Sequence, residues 1–149
     1  TKFNDELMEK VQKEISLYNE DRVRSEPHGL EELFSRGGIT NILIYVVNVG
    51  QGDTIIVLFE GEIDKRFAIL IDAHFVSSRY KQFKALLSEL NIEDKLECLI
   101  ISHPHYDHIS GADKVVTDFK IPTVLVKDGT NHTTSTFRNF LRKHNTRRM

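Results

Sequence analysis

The sequence predicts a layered α/β domain, and three observations carry that prediction. Runs rich in β-branched and apolar residues at 39–49, 54–60, 66–72, 96–102 and 121–127 have strand character. Stretches with apolar residues at helical spacing lie before, between and after them. Strands apolar on both alternating faces need cover on each side, which flanking helices provide.

Taken in order, residues 4–24 carry Leu7, Val11, Ile15 and Tyr18 on one stripe among Asp, Glu, Lys and Gln, the pattern of an amphipathic helix. Asn4 suits its N-cap, and Asp5 and Glu6 suit its first turn. SEPHG at 25–29 breaks the pattern, and GLEELF adds a short helical turn that Gly37 and Gly38 end. Residues 1–38 are expected to form an N-terminal helical extension, and 39–149 the main domain. ITNILIYVVNV reads as a strand covered on both sides. TIIVLFE and RFAILID follow after the turns GQGD and GEIDK, so antiparallel hairpins are the economical connection. YKQFKALLSEL places Phe83, Leu86, Leu87 and Leu90 at helical spacing, and LECLIIS is a further buried strand. ISGADKVVTDF reads as one helix, IPTVLVK as a strand, and TSTFRNFLRKH as a helix presenting Phe137, Phe140 and Leu141.

A chain of 149 residues, 40% hydrophobic and 28% charged, is an ordinary globular composition rather than a disordered or fibrous one. The net charge of -2 gives no overall attraction to nucleic acid or an anionic membrane. Cys98 is the single cysteine, which excludes an internal disulfide framework and a thiolate metal cluster and suits a reducing compartment. No apolar run approaches the roughly 20 residues that cross a bilayer, and the first 25 residues are rich in Glu and Lys. A cytoplasmic protein without a membrane partner is expected. Thr1 at the start and KHNTRRM at the end read as the bounds of a piece of something longer.

His103, His105, Asp107 and His108 fall within six residues at the carboxyl end of a buried strand, where α/β folds place their ligands. Imidazole and carboxylate are good ligands for zinc and also suit iron or manganese. Residues two apart in extended chain point the same way, so His103 and His105 can hold one metal together. Pro104 disfavours continued central pairing, and His108 enters a helix, so Asp107 and His108 can face a second metal. The alternative is a chance histidine-rich loop, since the chain has seven histidines.

SHPHYDHISGA resembles the H-x-H-x-D-H signature of the metallo-β-lactamase superfamily. VVNVGQGDTIIV resembles the first hairpin of the branch related to the hydrolase domain of bacterial DNA-uptake (competence) proteins, and AILIDAH resembles the family's strand that ends in an aspartate. The resemblance covers residues 40 to about 126. It implies the first half of a four-layer αββα sandwich, with His103 and His105 on one metal and Asp107 and His108 on the other. It also implies that Asp72 acts from behind the ligands, and that Asp107 serves catalysis by orienting the water. The implied activity is metal-dependent hydrolysis by activated water with up to two zinc ions, or manganese or iron in their place. A small-molecule or nucleic-acid phosphodiester is the substrate that the branch suggests.

The family completes its metal sites with two histidines and an aspartate from the second half of the sandwich, which the resemblance places beyond Met149. His132, in a polar loop, and His144, in the basic tail, read as solvated rather than as ligands. Ala73-His74 stands where the family usually has Thr-Gly. His74 reads as structural or exposed, with an approach to the metals as the alternative. Asp53 is either an ordinary turn residue or a group that polarises substrate or water, and Gly50 and Gly52 serve turn geometry. Arg138, Arg142, Lys143, Arg147 and Arg148 with Phe137 and Phe140 read as an amphipathic helix with a solvated basic face, phosphate binding being the alternative. The competing function is a truncated or degenerate metal-binding and interaction domain without activity of its own. Half a sandwich exposes apolar surface and sheet edge, so self-association or pairing with the missing C-terminal half is expected.

Overall fold

The computed structural model describes residue 34, residues 38–62, 65–127 and 134–144, and the backbone of 147–148. The expected helix at 4–24, the break at Gly37 and the loop around His132 lie outside the described residues. Strands β1 (Ile39–Val46), β2 (Ile55–Gly61) and β3 (Arg66–Ile71) form an antiparallel meander, as the short turns between them require. Helix α1 (Ser77–Glu89) then carries the chain back so that β4 (Leu96–Ile101) pairs parallel with β3. The short α2 (Tyr106–Ile109) and α3 (Ala112–Phe119) lead to β5 (Thr123–Val126), parallel to β4. Helix α4 (Ser135–Lys143) precedes the two-residue β6 (Arg147–Arg148), and the sheet order is β1-β2-β3-β4-β5-β6.

One face of this sheet carries the main core. Ile56, Leu58, Leu70, Leu99 and Ile101 pack against Phe83 and Leu87 of α1, Ile109 of α2, Val115 of α3, and Phe137 and Phe140 of α4. Burying a Leu or Phe side chain contributes about 1.5–3 kcal/mol, so this helical layer is the main support of the strands that present the site. The opposite face is also apolar. Phe34 sits edge-on against Phe59 and Phe67 there, with ring centroids 5.1 and 5.8 Å away, beside Ile69 and Cys98. Among the described residues, then, one helical layer and one sheet of the sandwich are present.

Three expectations for the elements need correction. Arg147 and Arg148, read with the C-terminal helix, form the short β6 beside β5 instead. β1 is not covered on both sides: Ile44 and Val46 are 58% and 78% exposed. Among the described residues it is the edge strand, paired with β2, and Ile44 and Val46 lie opposite Val57 and Ile55 on the face away from the helices. The helix expected over 109–119 is instead two helices broken at Ser110 and Gly111. Ala73 accounts for the break, since its N–H donates to His108 O and its carbonyl accepts from Gly111 N–H, both at 2.8 Å. A side chain at position 111 would stand 2.5 Å from the Phe75 ring, so the break also requires a glycine.

Candidate metal centre

β3 and β4 are parallel and in register, with Ile71 opposite Ile100, so the chain leaving each strand emerges at the same sheet edge. Asp72 leaves β3 there with φ 56°, a left-handed conformation uncommon outside glycine, and its N–H donates to Ile100 O at 2.8 Å. Its buried carboxylate gathers three hydrogen bonds. Ser102 N–H donates to Oδ1 at 2.8 Å, the Ser102 hydroxyl donates to Oδ2 at 2.5 Å, and His108 Nδ1 lies 2.9 Å from Oδ2. Ser102 is the residue just before His103, a position that the sequence reading passed over.

Within the cluster, two pairs of donor atoms lie near one another. His103 Nε2 and His105 Nδ1 are 3.0 Å apart. Two imidazole nitrogens bound to one tetrahedral zinc at about 2.0–2.1 Å would be roughly 3.3 Å apart, so this spacing fits a shared cation. His108 Nε2 faces the Asp107 carboxylate at 3.8 Å. A second grouping overlaps with this one, since donor atoms of Asp53, Asp72 and His108 all lie within 4.8 Å of one another. Imidazole and carboxylate donors at these separations fit a divalent metal.

Electrostatics separates the histidines. For His108, burial disfavours the charged ring, but the hydrogen bond to Asp72 and the charges of Asp72, Asp107 and Asp53 outweigh it and raise its pKa above the ordinary value. For His103, burial and the neighbouring His105 and His108 charges lower the pKa, which favours the neutral form that binds metal. His103 and His105 are exposed and Asp107 half-buried, so the cluster is open to solvent.

The GQGD turn seats against this cluster. Gly50 and Gly52 both have positive φ, 90° and 107°, as turn geometry requires. Gly52 also permits close approach: a Cβ there would be 2.3 Å from Asp107 O and 2.8 Å from the His74 ring. Asp53 N–H donates to Asp107 O at 3.3 Å, while the Asp53 carboxylate is 3.8 Å from His108 Nδ1. His74 is buried beneath the turn. Its N–H donates to Thr54 Oγ1 at 3.1 Å, and its Nδ1 lies 2.8 Å from Ser110 Oγ. Tyr106 stands edge-on to its ring at 6.0 Å.

His144 is not the solvated tail residue expected. Its Nε2 is 2.6 Å from Asp113 Oδ1, its side chain is 13% exposed, and its ring packs on Phe140. Lys143 joins the same carboxylate at 2.8 Å, which fastens the end of α4 to the start of α3. That contact lies apart from the cluster, and sequence spacing gave no signal for it.

The metallo-beta-lactamase superfamily model matches residues 37–147. Among solved structures, the chain is similar to a metallo-beta-lactamase from Cronobacter sakazakii (Enterobacter sakazakii) with a mutated HARLDQ motif, at 21% identity and a TM-score of 0.42. That similarity covers 57% of this chain and 31% of the other, so the chain spans about a third of that protein's length. No curated protein matches.

Proposed function

Because the chain belongs to the metallo-beta-lactamase superfamily, we propose that it forms the first half of a metal-dependent hydrolase, acting by metal-activated water on a small-molecule or nucleic-acid phosphodiester. The observation that carries the reading is the convergence of imidazole and carboxylate donors at the carboxyl edge of β3 and β4. His103 and His105 would hold one divalent cation and Asp107 and His108 a second, zinc by donor chemistry, with manganese or iron as substitutes. When bound, such a cation lowers the pKa of water and polarises a substrate oxygen.

The protein's own groups then divide the remaining work. Asp72 orients His108, the Asp107 carboxylate aligns the attacking water, and the exposed rim at His103 and His105 admits substrate. The phosphodiester assignment follows from the likeness of the VGQGD hairpin to the competence-protein branch. The lone, buried Cys98, its thiol pushed up to about 12 by burial, suits a reducing cytoplasm. Among the described residues no helix is long and apolar enough to cross a membrane.

A second proposal concerns partners. The apolar face at Ile44 and Val46 favours pairing of this sheet, with a second copy of the chain or with a C-terminal half that supplies the remaining ligands. The test is metal content together with hydrolysis of bis(p-nitrophenyl) phosphate, for this chain and for a longer form of it. The expected result is stoichiometric metal and activity in the longer form, both lost in His105→Ala. Absence of metal from the longer form, or undiminished activity in that variant, overturns the hydrolase reading.

A further inference from the structure

We propose that Ser102 is a positioning residue that selects the metal-binding nitrogen of His108 by locking the Asp72 carboxylate, an inference that rests on the metal reading above. His108 presents two ring nitrogens, and which one is free to bind is set by the hydrogen bond that the other makes. Its Nδ1 lies 2.9 Å from Asp72 Oδ2 and its Nε2 faces Asp107 at 3.8 Å. With Nδ1 protonated toward Asp72, the lone pair sits on Nε2 beside Asp107. The other tautomer turns the lone pair toward a carboxylate, where it finds no donor.

What holds Asp72 in the orientation that enforces this choice is Ser102. Its N–H takes Oδ1 and its hydroxyl takes Oδ2, so both carboxylate oxygens are fixed and the plane of the group cannot rotate. Without the hydroxyl, one anchor remains and Oδ2 is free to swing. A carboxylate that can swing no longer fixes the ring of His108, whose Nδ1 also has the Asp53 carboxylate within reach at 3.8 Å. Ser102 is itself exposed and its hydroxyl is engaged by Asp72, so it acts through Asp72 and His108. The chain folds this way because Ser102 directly follows β4 and Asp72 directly follows β3, a juxtaposition that the parallel pairing of the two strands fixes.

The test uses the 149-residue chain with Ser102→Ala, and the isosteric pair Ser102→Thr and Ser102→Val, which differ only in the hydroxyl. Nitrogen-15 NMR of the histidine rings in metal-free protein at about pH 9, above the ordinary imidazole range, reads the tautomer of His108 directly. The wild type and Ser102→Thr should show Nδ1–H alone, and Ser102→Ala and Ser102→Val a mixture. Cobalt(II) titration should show affinity lower by about tenfold in the two variants without a hydroxyl, as expected when a ligand's hydrogen-bonded support is removed. Thermal melts separate this from a loss of fold, and the Thr and Val pair decides the matter if Ser102→Ala does not fold. A pure Nδ1–H tautomer with unchanged cobalt affinity in Ser102→Val overturns the proposal. A wild type with the expected tautomer but no cobalt binding would remove the metal reading and leave the positioning role standing.

Discussion

Asp72 concentrates the residue-scale physics of the site. It is buried, adopts a left-handed backbone conformation, and accepts from Ser102 twice and from His108 once. Asp72→Asn keeps its shape but replaces one acceptor oxygen with a donor that opposes either the Ser102 hydroxyl or His108 Nδ1–H. Divalent metal affinity should fall about 10–100-fold, measured by competition with a chromophoric chelator, while a wild-type affinity would show that Asp72 does not support the ligand. Gly52 is the second sensitive residue. Its φ of 107° and the 2.3 Å approach to Asp107 O leave no room for a methyl group. Gly52→Ala should cost about 2 kcal/mol or more of stability, read from the denaturant midpoint, and should weaken metal binding as the turn lifts away. The candidate ligands at 103–108 were legible in the sequence because chemistry and spacing are local. The roles of Ser102, of Ser110 beside His74, and of Gly52 against Asp107 were not, because each depends on a neighbour brought in from another element.

Elements in the chain divide by what covers them. Helix α4 is fastened to α3 through Asp113, whose pKa lies below the ordinary carboxylate value: burial acts to raise it, but hydrogen bonds from Lys143 and His144 overcome that. A carboxylate depressed in the folded state adds stability that is fully present above its unfolded pKa, near ~3.9, and is lost as pH falls through the lower folded value. Because Asp113 is half exposed, screening limits its contribution to below about 1 kcal/mol. Asp113→Asn should therefore be slightly less stable than the wild type at neutral pH, and the two should converge in acid. A difference that persists or grows below that range would contradict the clasp. Strand β1 shows where element-level reading failed. Its residues are apolar on both alternating faces, as a doubly covered strand requires, yet Val46 is 78% exposed. Apolar patterning reports what a strand is suited to bury, not whether a partner is present. The single helix expected over 109–119 failed for another reason, since periodicity cannot see Ala73 inserting between His108 and Gly111.

At the scale of the whole molecule, among the described residues the larger core supports one face of the sheet, and Ile44 and Val46 stand exposed on the other beside the smaller cluster around Phe34. Leu99, fully buried between strands and helices, is part of that support, and Leu99→Ala should cost about 2–5 kcal/mol in chemical unfolding. On the open side, Ile44→Lys combined with Val46→Lys should leave the fold intact, because both side chains are exposed. If that face pairs with a second copy, sedimentation should show association of the wild type and a monomer for the double variant. A wild type that stays monomeric at high concentration would remove self-association. The α/β class, the two hairpins, most of the strands and the gathering of His and Asp at 103–108 were determined by the sequence itself, since each follows from local periodicity, turn chemistry and side-chain type. Only the tertiary structure decided that β3 and β4 end side by side, that Asp72 and Ser102 thereby meet, that His108 turns Nε2 toward Asp107, and that Ile44 and Val46 of β1 are exposed. Those outcomes depend on contacts between residues up to 36 positions apart, which strand register fixes and no local pattern encodes.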